Sequence, residues 1–394
     1  MSARIAETNL AASFPTGESP ETERTVYQLT EGAGFAYPLY FYIPSMTKDG
    51  RYLIYHYYNH DSVQLYCLDL ATGDAERLTD ATSEDAHWRR WCTDPGTGVL
   101  DHRSVLNRPR EEVYYFEDTD VYAVDVPAGE PRYLFSLPSG RRAIGQNCVT
   151  PDGEWLVYIH HDANLFDEMS TGGTVDRHLS RATVLAAYHL DSDRHHEILR
   201  LNSPIHHVTA YDDRHVVFCH PVTENGMLFT DLDGGWYSHL RTQDRHGGTV
   251  CHYHATDRGL SYEVLNDGDG VRGGIYDPFS HERVEFPLPD SFGYTHTGFD
   301  PAGELFFYEN ETDSRHEIQY LARYRSDDDL EWETVVGDWP TYGAGQKAHF
   351  HPRLTPDRNW MVVTAGDEKT ESNHIFLVDV SDLERTTGIQ RSSR

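Results

Sequence analysis

The sequence predicts an all-β fold, a seven-bladed β-propeller, on three observations. A polar turn of the type T-x-D-G recurs along the chain, and each copy precedes a short strand of alternating residues and then further strands. The copies recur about every 50 residues, which is the length of a four-stranded propeller blade. No long segment has the 3.6-residue period of an amphipathic helix.

Seven units along the chain fit this description. Asp-Gly pairs suit the turn because glycine adopts positive φ without a steric penalty. The unit at 111–138 lacks the opening turn, and a ring of six or eight blades is the alternative to seven. The other six units open with TKDGRYLIYHYYN (47–59), TPDGEWLVYIHHD (150–162), AYDDRHVVFCHP (210–221), ATDRGLSYEVL (255–265), DPAGELFFYEN (300–310) and TPDRNWMVVTAGD (355–367).

One short segment near the N-terminus predicts how the ring closes. VYQLT (26–30) resembles ERLT (76–79) at the end of the first unit, but it has no blade of its own. We therefore expect it to pair with the last blade. The chain is interpreted as one propeller over 25–387, with a flexible N-terminal arm at 1–24 and a C-terminal tail at 388–394.

The charge of the chain limits its partners. Among 394 residues, 33 are Lys or Arg and 64 are Asp or Glu, which gives a formal net charge of −31. The acids are spread along the chain, so they indicate a solvated acidic surface, which repels itself less at high salt. We therefore predict a halophilic protein, with an ordinary acidic protein as the alternative. Nucleic acid and anionic membranes are excluded as partners, because both need clustered basic residues.

Cysteine usage and hydropathy predict the compartment. The five cysteines form no C-x-x-C pair, which favours buried thiols over a disulfide framework or a zinc knuckle. The N-terminus lacks the apolar core of a secretory signal, and no apolar run is long enough to span a membrane. We expect a soluble cytoplasmic protein.

The segment GAGQKAHFHPRLTPD (343–357) contains the sharpest cluster among the 24 histidines. His349 and His351 are two residues apart, so on a strand they face the same side. Gln346 lies three residues before His349. Two imidazoles and an amide oxygen suit a divalent metal of intermediate softness. An H-x-H pair alone is also typical of surface histidines beside a turn.

This segment resembles the oligogalacturonate lyases, polysaccharide lyase family 22, which are seven-bladed propellers. Their last-blade motif, Q-x-x-H-x-H-P followed by T-P-D, stands here as Gln346-Lys-Ala-His349-Phe-His351-Pro352 and TPD (355–357). The resemblance runs from about Val26 to Asp382. It implies that Gln346, His349 and His351 bind manganese together with His296 of YTHTGFDPAG (294–303).

The resemblance also implies a catalytic base one blade earlier. HYHATDRG (252–259) places His252 at the position of the family's base, although the family's E-F-W is absent. His254 shares the strand face of His252, so it is a candidate to assist or to bind substrate. In a polar, histidine-rich strand, both are also compatible with no catalytic role.

One departure concerns a family arginine, because Gly226 stands where it is expected. The arginines that could replace its charge are Arg89, Arg90, Arg141 and Arg142. Arg89 and Arg90 lie in HWRRW (87–91), whose mixed aromatic and basic residues suit a sugar-binding platform. His160 and the pair His206-His207 are expected near the mouth of the channel.

The expected function is a metal-dependent lyase that cleaves short oligogalacturonides by β-elimination during pectin breakdown. The substrate would be an anionic oligosaccharide and the cofactor a divalent metal, Mn²⁺ above all. The alternatives are a lyase for another uronic-acid polymer and a non-catalytic sugar- or protein-binding propeller with a structural metal. Gly226 favours the non-catalytic alternative, whereas His252 and the ligand set favour the lyase.

Overall fold

A computed structural model describes most of the chain and begins with a short N-terminal segment. Helix α1 (Glu7–Ser13) is followed by strands β1 (Thr16–Glu18) and β2 (Thr25–Gln28). The described residues are 7–83, 97–100, 102–143, 146–162, 183–201, 205–220, 226–241, 248–265, 270–289, 296–312, 315–324, 330–343 and 345–383.

The remaining strands pair into seven antiparallel blades, which confirms the predicted fold. In blades 1 to 3 the chain runs from the inner strand outwards. Blade 1 contains β3 (Phe35–Pro38), β4 (Tyr52–Tyr58), β5 (Ser62–Asp69) and β6 (Ala75–Arg77), with β7 (Thr97–Gly98) pairing in parallel with β5. Blade 2 contains β8 (Val105–Asn107), β9 (Glu112–Glu117), β10 (Asp120–Asp125) and β11 (Arg132–Ser136). Blade 3 contains β12 (Arg141–Ala143) and β13 (Cys148–Val149), which both pair with β14 (Trp155–Asp162), then β15 (Thr183–His189) and β16 (Arg194–Leu201).

Blades 4 to 7 follow the same order along the chain. Blade 4 contains β17 (His206–Ala210), β18 (His215–His220), β19 (Gly226–Asp231) and β20 (Ser238–Arg241). Blade 5 contains β21 (Thr249–Thr256), β22 (Gly259–Leu265), β23 (Arg272–Tyr276) and β24 (Arg283–Pro287). Blade 6 contains β25 (Thr297–Phe299), β26 (Phe306–Thr312), β27 (Arg315–Tyr324) and β28 (Leu330–Val336). Blade 7 contains β29 (Arg353–Leu354), β30 (Trp360–Asp367) and β31 (Ser372–Asp379), preceded by a 3-10 helix (Gly345–Ala348).

The core lies between neighbouring blades. Val157 and Leu185 of blade 3, for example, share one buried cluster with Val216 and Leu228 of blade 4. A middle strand is covered on both faces by adjacent blades, so its side chains are mostly apolar on both faces, as in β30. The outermost strand β28 instead alternates between more and less exposed residues. Each inner strand pairs with a middle strand that is buried on both faces, as β29 pairs with β30, and this pairing holds it at the centre of the ring.

The N-terminal strand closes the ring. Strand β2 pairs antiparallel with β31, with Val26 opposite Val378 and Tyr27 opposite Leu377. It therefore supplies the outermost main strand of blade 7, and the ring closure predicted from VYQLT is confirmed. The first and last parts of the chain meet in one blade, which removes the open sheet edges of an unclosed ring.

Part of the expected N-terminal arm is ordered. Strand β1 extends blade 7 by pairing with β2. Leu10 and Phe14 are buried, and they join the apolar cluster that contains Leu68 and Trp360. The segment from α1 onwards therefore differs from the flexible arm expected for 1–24, because two apolar side chains anchor it where blades 1 and 7 meet.

Within the described part of the chain, no helix has the length and apolar character needed to cross a membrane.

Candidate functional site

Four blades place a histidine at the same distance before their first turn, in or just before the inner strand. Each lies four residues before the residue that opens the blade's turn. Their rings form a chain of contacts across the centre of the propeller. They are His207, His252, His296 and His351, and successive ring centroids are 5.2, 4.6 and 4.5 Å apart.

The backbone at three of these histidines is unusual. His207, His252 and His351 have φ of 51°, 48° and 47°, a left-handed conformation that non-glycine residues rarely adopt. The pairing register shifts at His207 and at His252, so each lies in a β-bulge. A bulge redirects the side chain of the extra residue, and bulges are frequent beside active sites. These two bulged residues contact each other at the centre of the propeller, on neighbouring blades.

Three histidines of blades 6 and 7 form the candidate metal centre. The His296 ring lies 4.7 Å from the His349 ring and 4.5 Å from the His351 ring. His349 and His351 are 5.5 Å apart and nearly parallel. The strand expected for this pair begins only at Arg353, because His349 follows the 3-10 helix and His351 has a left-handed φ. Possible ligand atoms of His296, Glu309 and His349 all lie within 4.8 Å of one another. The donor set fits a divalent metal that accepts imidazole and carboxylate ligands.

Glu309 connects the histidines of this centre. Its carboxylate accepts a hydrogen bond from His296 Nδ1 at 2.9 Å and lies 3.5 Å from His349 Nδ1. The same carboxylate accepts backbone N–H bonds from Phe350 at 2.8 Å and His351 at 3.3 Å. A bond at His296 Nδ1 leaves Nε2 as the nitrogen with the lone pair, which is the usual arrangement of a metal-binding histidine.

Burial and the acidic residues set the charges within the centre. Burial lowers the pKa of His296 to about 4 although Glu309 opposes it, and burial also lowers the pKa of His351. For His349, the carboxylates of Glu309 and Glu311 outweigh burial and raise the pKa to about 10. The Glu311 carboxylate lies 2.6 Å from His349 Nδ1. Burial opposes ionisation of Glu309, but the His296 and His349 imidazoles hold its pKa well below the usual range.

His252 lies beside this centre with an acidic partner of its own. Its Nδ1 is hydrogen-bonded to the Glu263 carboxylate, and both side chains are fully buried. His254, two residues on, donates from Nε2 to the backbone carbonyl of Thr297 at 2.7 Å. Burial lowers the pKa of His254 to about 4, which keeps it neutral at pH 7. His252 therefore bonds to a carboxylate, and His254 bonds to a backbone carbonyl.

A loop of blade 1 lies against the histidines at the centre of the ring. It carries three consecutive aromatic residues, Tyr40, Phe41 and Tyr42, between β3 and the turn at residue 47. The Phe41 ring contacts His252, His254, His296 and His351 at 4.8 to 5.7 Å. The Tyr40 hydroxyl is hydrogen-bonded to His207 Nε2 at 3.1 Å. We call this segment, Leu39–Ser45, the aromatic loop.

A partly buried arginine of blade 7 fixes the aromatic loop. The Arg353 guanidinium donates hydrogen bonds to the carbonyls of Leu39 and Ile43 and to the Ser45 hydroxyl. Burial lowers the pKa of Arg353 to about 9, so it remains charged at neutral pH. Because Arg353 follows His351 by two residues, the same segment positions a candidate metal ligand and the loop beside it.

The structure brings together His252, His296, His349 and His351 as the sequence predicted. The backbone of Gln346 lies in the 3-10 helix that precedes His349, but its side chain lies outside the described part of the structure. That these residues bind a metal or act as the base remains a prediction.

Among the predicted substrate-binding residues, His254 lies within the histidine cluster, beside Phe41. Arg89 and Arg90 lie outside the described residues. His160 Nδ1 accepts a hydrogen bond from Arg141 Nε at 2.9 Å, and Arg142 forms an ion pair with Asp118. Gly226 is the first residue of β19 and has no side chain to replace the family's arginine.

Sequence reasoning missed Glu263 and Glu309, and it expected His207 near the mouth of the channel without joining it to the other histidines. The histidine that stands four residues before the turn in four of the blades would have joined His207 to the cluster. The two glutamates were detectable as acids inside middle strands that are rich in apolar and aromatic residues, since an acid there needs a partner. The aromatic loop gave no periodic signal because it interrupts the strand pattern.

Fold and site together define a seven-bladed β-propeller with a histidine cluster at the centre of the ring. No protein-family model and no curated protein matches the chain. Among solved structures it is similar to an oligogalacturonate lyase in complex with manganese, at a TM-score of 0.77 and 19% identity, covering 93% of this chain and 96% of that one. An oligogalacturonate lyase from Vibrio parahaemolyticus gives 0.74 and 17%, covering 94% and 97%.

A more distant likeness is to a prolyl endopeptidase, with a TM-score of 0.52 and 9% identity over 89% of this chain and 49% of that one. At these identities the comparisons establish the fold.

Proposed function

We propose that this protein is a metal-dependent lyase that cleaves short oligogalacturonides by β-elimination. The observation that carries the proposal is the arrangement of His252, which is paired with a buried carboxylate and whose ring lies 4.6 Å from His296 of the candidate metal centre. A base beside a Lewis-acid site is what proton abstraction next to a carboxylate requires. The likeness in fold to an oligogalacturonate lyase in complex with manganese supports the same assignment.

The metal would be held by His296, His349 and His351 together with Gln346, and we propose Mn²⁺. When bound, such an ion acts as a Lewis acid that stabilises negative charge on the substrate's carboxylate. Glu309 keeps the His296 ring oriented, with Nε2 available as a ligand atom.

His252 is proposed as the general base. Its Nδ1 is bonded to Glu263, so Nε2 carries the lone pair that accepts the C5 proton of the uronate. The C5–H electron pair forms the C4–C5 double bond, and the C4–O bond breaks with its electrons remaining on oxygen. The leaving oxygen takes a proton from solvent water, and His252 later returns its proton to solvent. A positioned base contributes about 10²–10⁴-fold to the rate.

We propose that the aromatic loop forms one wall of the site, on the inner side of the ring. Tyr40 and Phe41 are almost fully buried, and Phe41 contacts the rings of His252 and His296. An apolar floor excludes water from one side of the base and strengthens electrostatic interactions above it.

An anionic oligosaccharide is the proposed partner despite the acidic surface of the protein. Salt screens distant charges more than near ones, so groups in the site dominate at high ionic strength. We accordingly propose that the protein works in the cytoplasm of a halophilic cell. The net charge of −31 supports this environment.

A second candidate is a non-catalytic propeller that binds a sugar or a protein and retains the metal for structure. Gly226 favours it, because β19 offers no arginine at that position. A lyase for a different uronic-acid polymer is a further candidate with the same chemistry.

An assay on a small set of substrates separates these candidates. The purified protein is incubated in high salt with Mn²⁺ and with digalacturonate, an oligoguluronate or an oligoglucuronate, and the ultraviolet absorbance of the unsaturated uronate is followed. We expect product from digalacturonate. Product from another uronate alone would reassign the substrate, and no product from any of the three would refute the lyase proposal.

A further inference from the structure

Blade 5 contains an acid at a position where burial makes an acid costly. Strand β22 is built mainly from core residues, including Leu260, Tyr262 and Val264, yet it carries Glu263 with no solvent exposure. A buried carboxylate is destabilising unless it is paired and hydrogen-bonded. Its partner is the equally buried His252. The pair therefore has a role that an apolar residue at position 263 would not fill.

We propose that Glu263 is a positioning residue for His252, which fixes the ring nitrogen that faces the substrate. This inference rests on the proposed function of His252 as the base. The Glu263 carboxylate accepts a hydrogen bond from Nδ1, so Nδ1 carries the proton and Nε2 the lone pair. When Nε2 takes a proton, the adjacent carboxylate stabilises the imidazolium, as the acid of a catalytic triad does.

The next blade contains a pair with the same geometry. His296 and Glu309 are likewise both fully buried and bonded through Nδ1, at 2.9 Å. In blade 4 the corresponding partner of His207 is a thiol, with Cys219 Sγ 3.8 Å from Nδ1. His252 and His296 thus share a bond to a buried carboxylate, whereas His207 lies beside a thiol.

Further contacts of Glu309 place it in the candidate metal centre. Glu309 also lies 3.5 Å from His349 Nδ1 and accepts the backbone N–H groups of Phe350 and His351. Its removal affects the segment that carries two candidate metal ligands. Glu263 lies one blade away and bonds to the candidate base. Loss of Glu263 is therefore expected to slow the reaction and leave metal binding intact.

The test compares Glu263→Gln and Glu263→Asp with two matched variants in the manganese-loaded protein. Glu309→Gln removes the equivalent carboxylate of blade 6. Glu285→Gln removes another largely buried carboxylate of blade 5, one that binds Arg241 and the Tyr262 hydroxyl. For Glu263→Gln we expect kcat to fall about 100-fold, with KM and bound manganese nearly unchanged. Glu263→Asp should recover part of kcat, whereas Glu309→Gln should lose manganese and Glu285→Gln should retain kcat.

A second measurement does not depend on activity. Imidazole protons bonded to buried carboxylates give proton NMR signals far downfield of the amides. In the protein loaded with diamagnetic Zn²⁺, Glu263→Gln should remove one such signal and Glu309→Gln a different one. If Glu263→Gln retains its kcat, or if no downfield signal depends on Glu263, the positioning role is refuted. A wild-type protein that shows the Glu263-dependent signal but makes no product would refute the lyase proposal and leave the pairing of Glu263 with His252 supported.

Discussion

The imidazoles of the candidate site are buried, so their neighbours determine their charge. His296 and His351 are kept neutral by burial, whereas Glu309 and Glu311 make His349 a strong base. The neutral imidazoles of His296 and His351 offer a lone pair to a metal, whereas His349 must release a proton to do so. The nearby acids compensate the metal's charge. The same acids orient the rings, so metal binding depends on the residues that hydrogen-bond the proposed ligands as well as on the ligands themselves.

Replacing the proposed ligands tests the metal centre. His349→Ala and His351→Ala each remove one imidazole of the proposed centre, and we expect each to lower manganese affinity at least 10-fold. The measurement is metal content after dialysis against a fixed manganese concentration. The matched control is His196→Ala, because His196 lies on the outer strand of blade 3, where its Nε2 bonds the backbone carbonyl of Asp233. Occupancy equal to that of the control would refute the ligand assignment.

His254 gives a pH dependence whose sign follows from its burial. Its folded pKa is about 4, and an unfolded histidine titrates near 6.5. As pH falls from about 6.5 to 4, only the unfolded state gains this proton, so the native state loses stability, by up to about 3 kcal/mol. We expect the free energy of unfolding of the wild type to fall relative to His254→Asn over this range. A difference that stays constant with pH would contradict the assignment.

At the residue scale the sequence predicted the residues with a motif and missed those without one. His349 and His351 were recognisable from their spacing, and His252 and His296 from the resemblance to the oligogalacturonate lyases. Glu263 and Glu309 reach their partners through strand pairing across 11 and 13 residues. For Glu263 that pairing includes the bulge at His252, which the sequence pattern does not reveal.

Among the elements, β2 is the strand that closes the ring. It pairs with β31, the third strand of blade 7, and buries Val26 and Tyr27 between blades. The sequence predicted this closure because VYQLT resembles the strand end ERLT but has no blade of its own. It did not predict that α1 and β1 would pack beside it, since polar residues dominate that segment.

A tyrosine substitution tests the closing strand. Tyr27 is 2% exposed and packs edge-on against Trp360 at 5.4 Å. We expect Tyr27→Ala to lower the free energy of unfolding by roughly 3–5 kcal/mol, measured by denaturant titration. The control is Tyr133→Ala, on the outer strand of blade 2, because Tyr133 is 54% exposed. Equal effects of the two substitutions would contradict the ring closure.

The aromatic loop is the element that sequence analysis could not place. It interrupts the inner strand of blade 1 between residue 38 and residue 46, so it breaks the alternation that identifies strands. Its position depends on Arg353, which lies more than 300 residues away in the chain and adjacent in the ring. Contacts of this kind follow from the circular arrangement of blades. The repeat pattern predicts the blades but not which residues of blades 1 and 7 meet.

Over the whole molecule, the net charge of −31 opposes the compact state. At 1 M salt the Debye length falls to roughly 3 Å, which screens repulsion between surface carboxylates. We therefore expect Tm to rise steadily as KCl is increased from about 0.1 M to 2 M. The measurement is thermal unfolding followed by circular dichroism. A Tm that is independent of KCl, or that falls, would contradict the halophilic interpretation.

We propose that His252 abstracts the proton beside a separate metal centre. One experiment measures unsaturated product from digalacturonate, together with bound manganese, in the wild type, His252→Ala and His349→Ala. We expect the wild type to form product, and to stop when manganese is removed by chelation. We expect His252→Ala to bind manganese fully without forming product, and His349→Ala to lose both. Product formation by His252→Ala at the wild-type rate, or its absence from the metal-loaded wild type, would refute the role of His252.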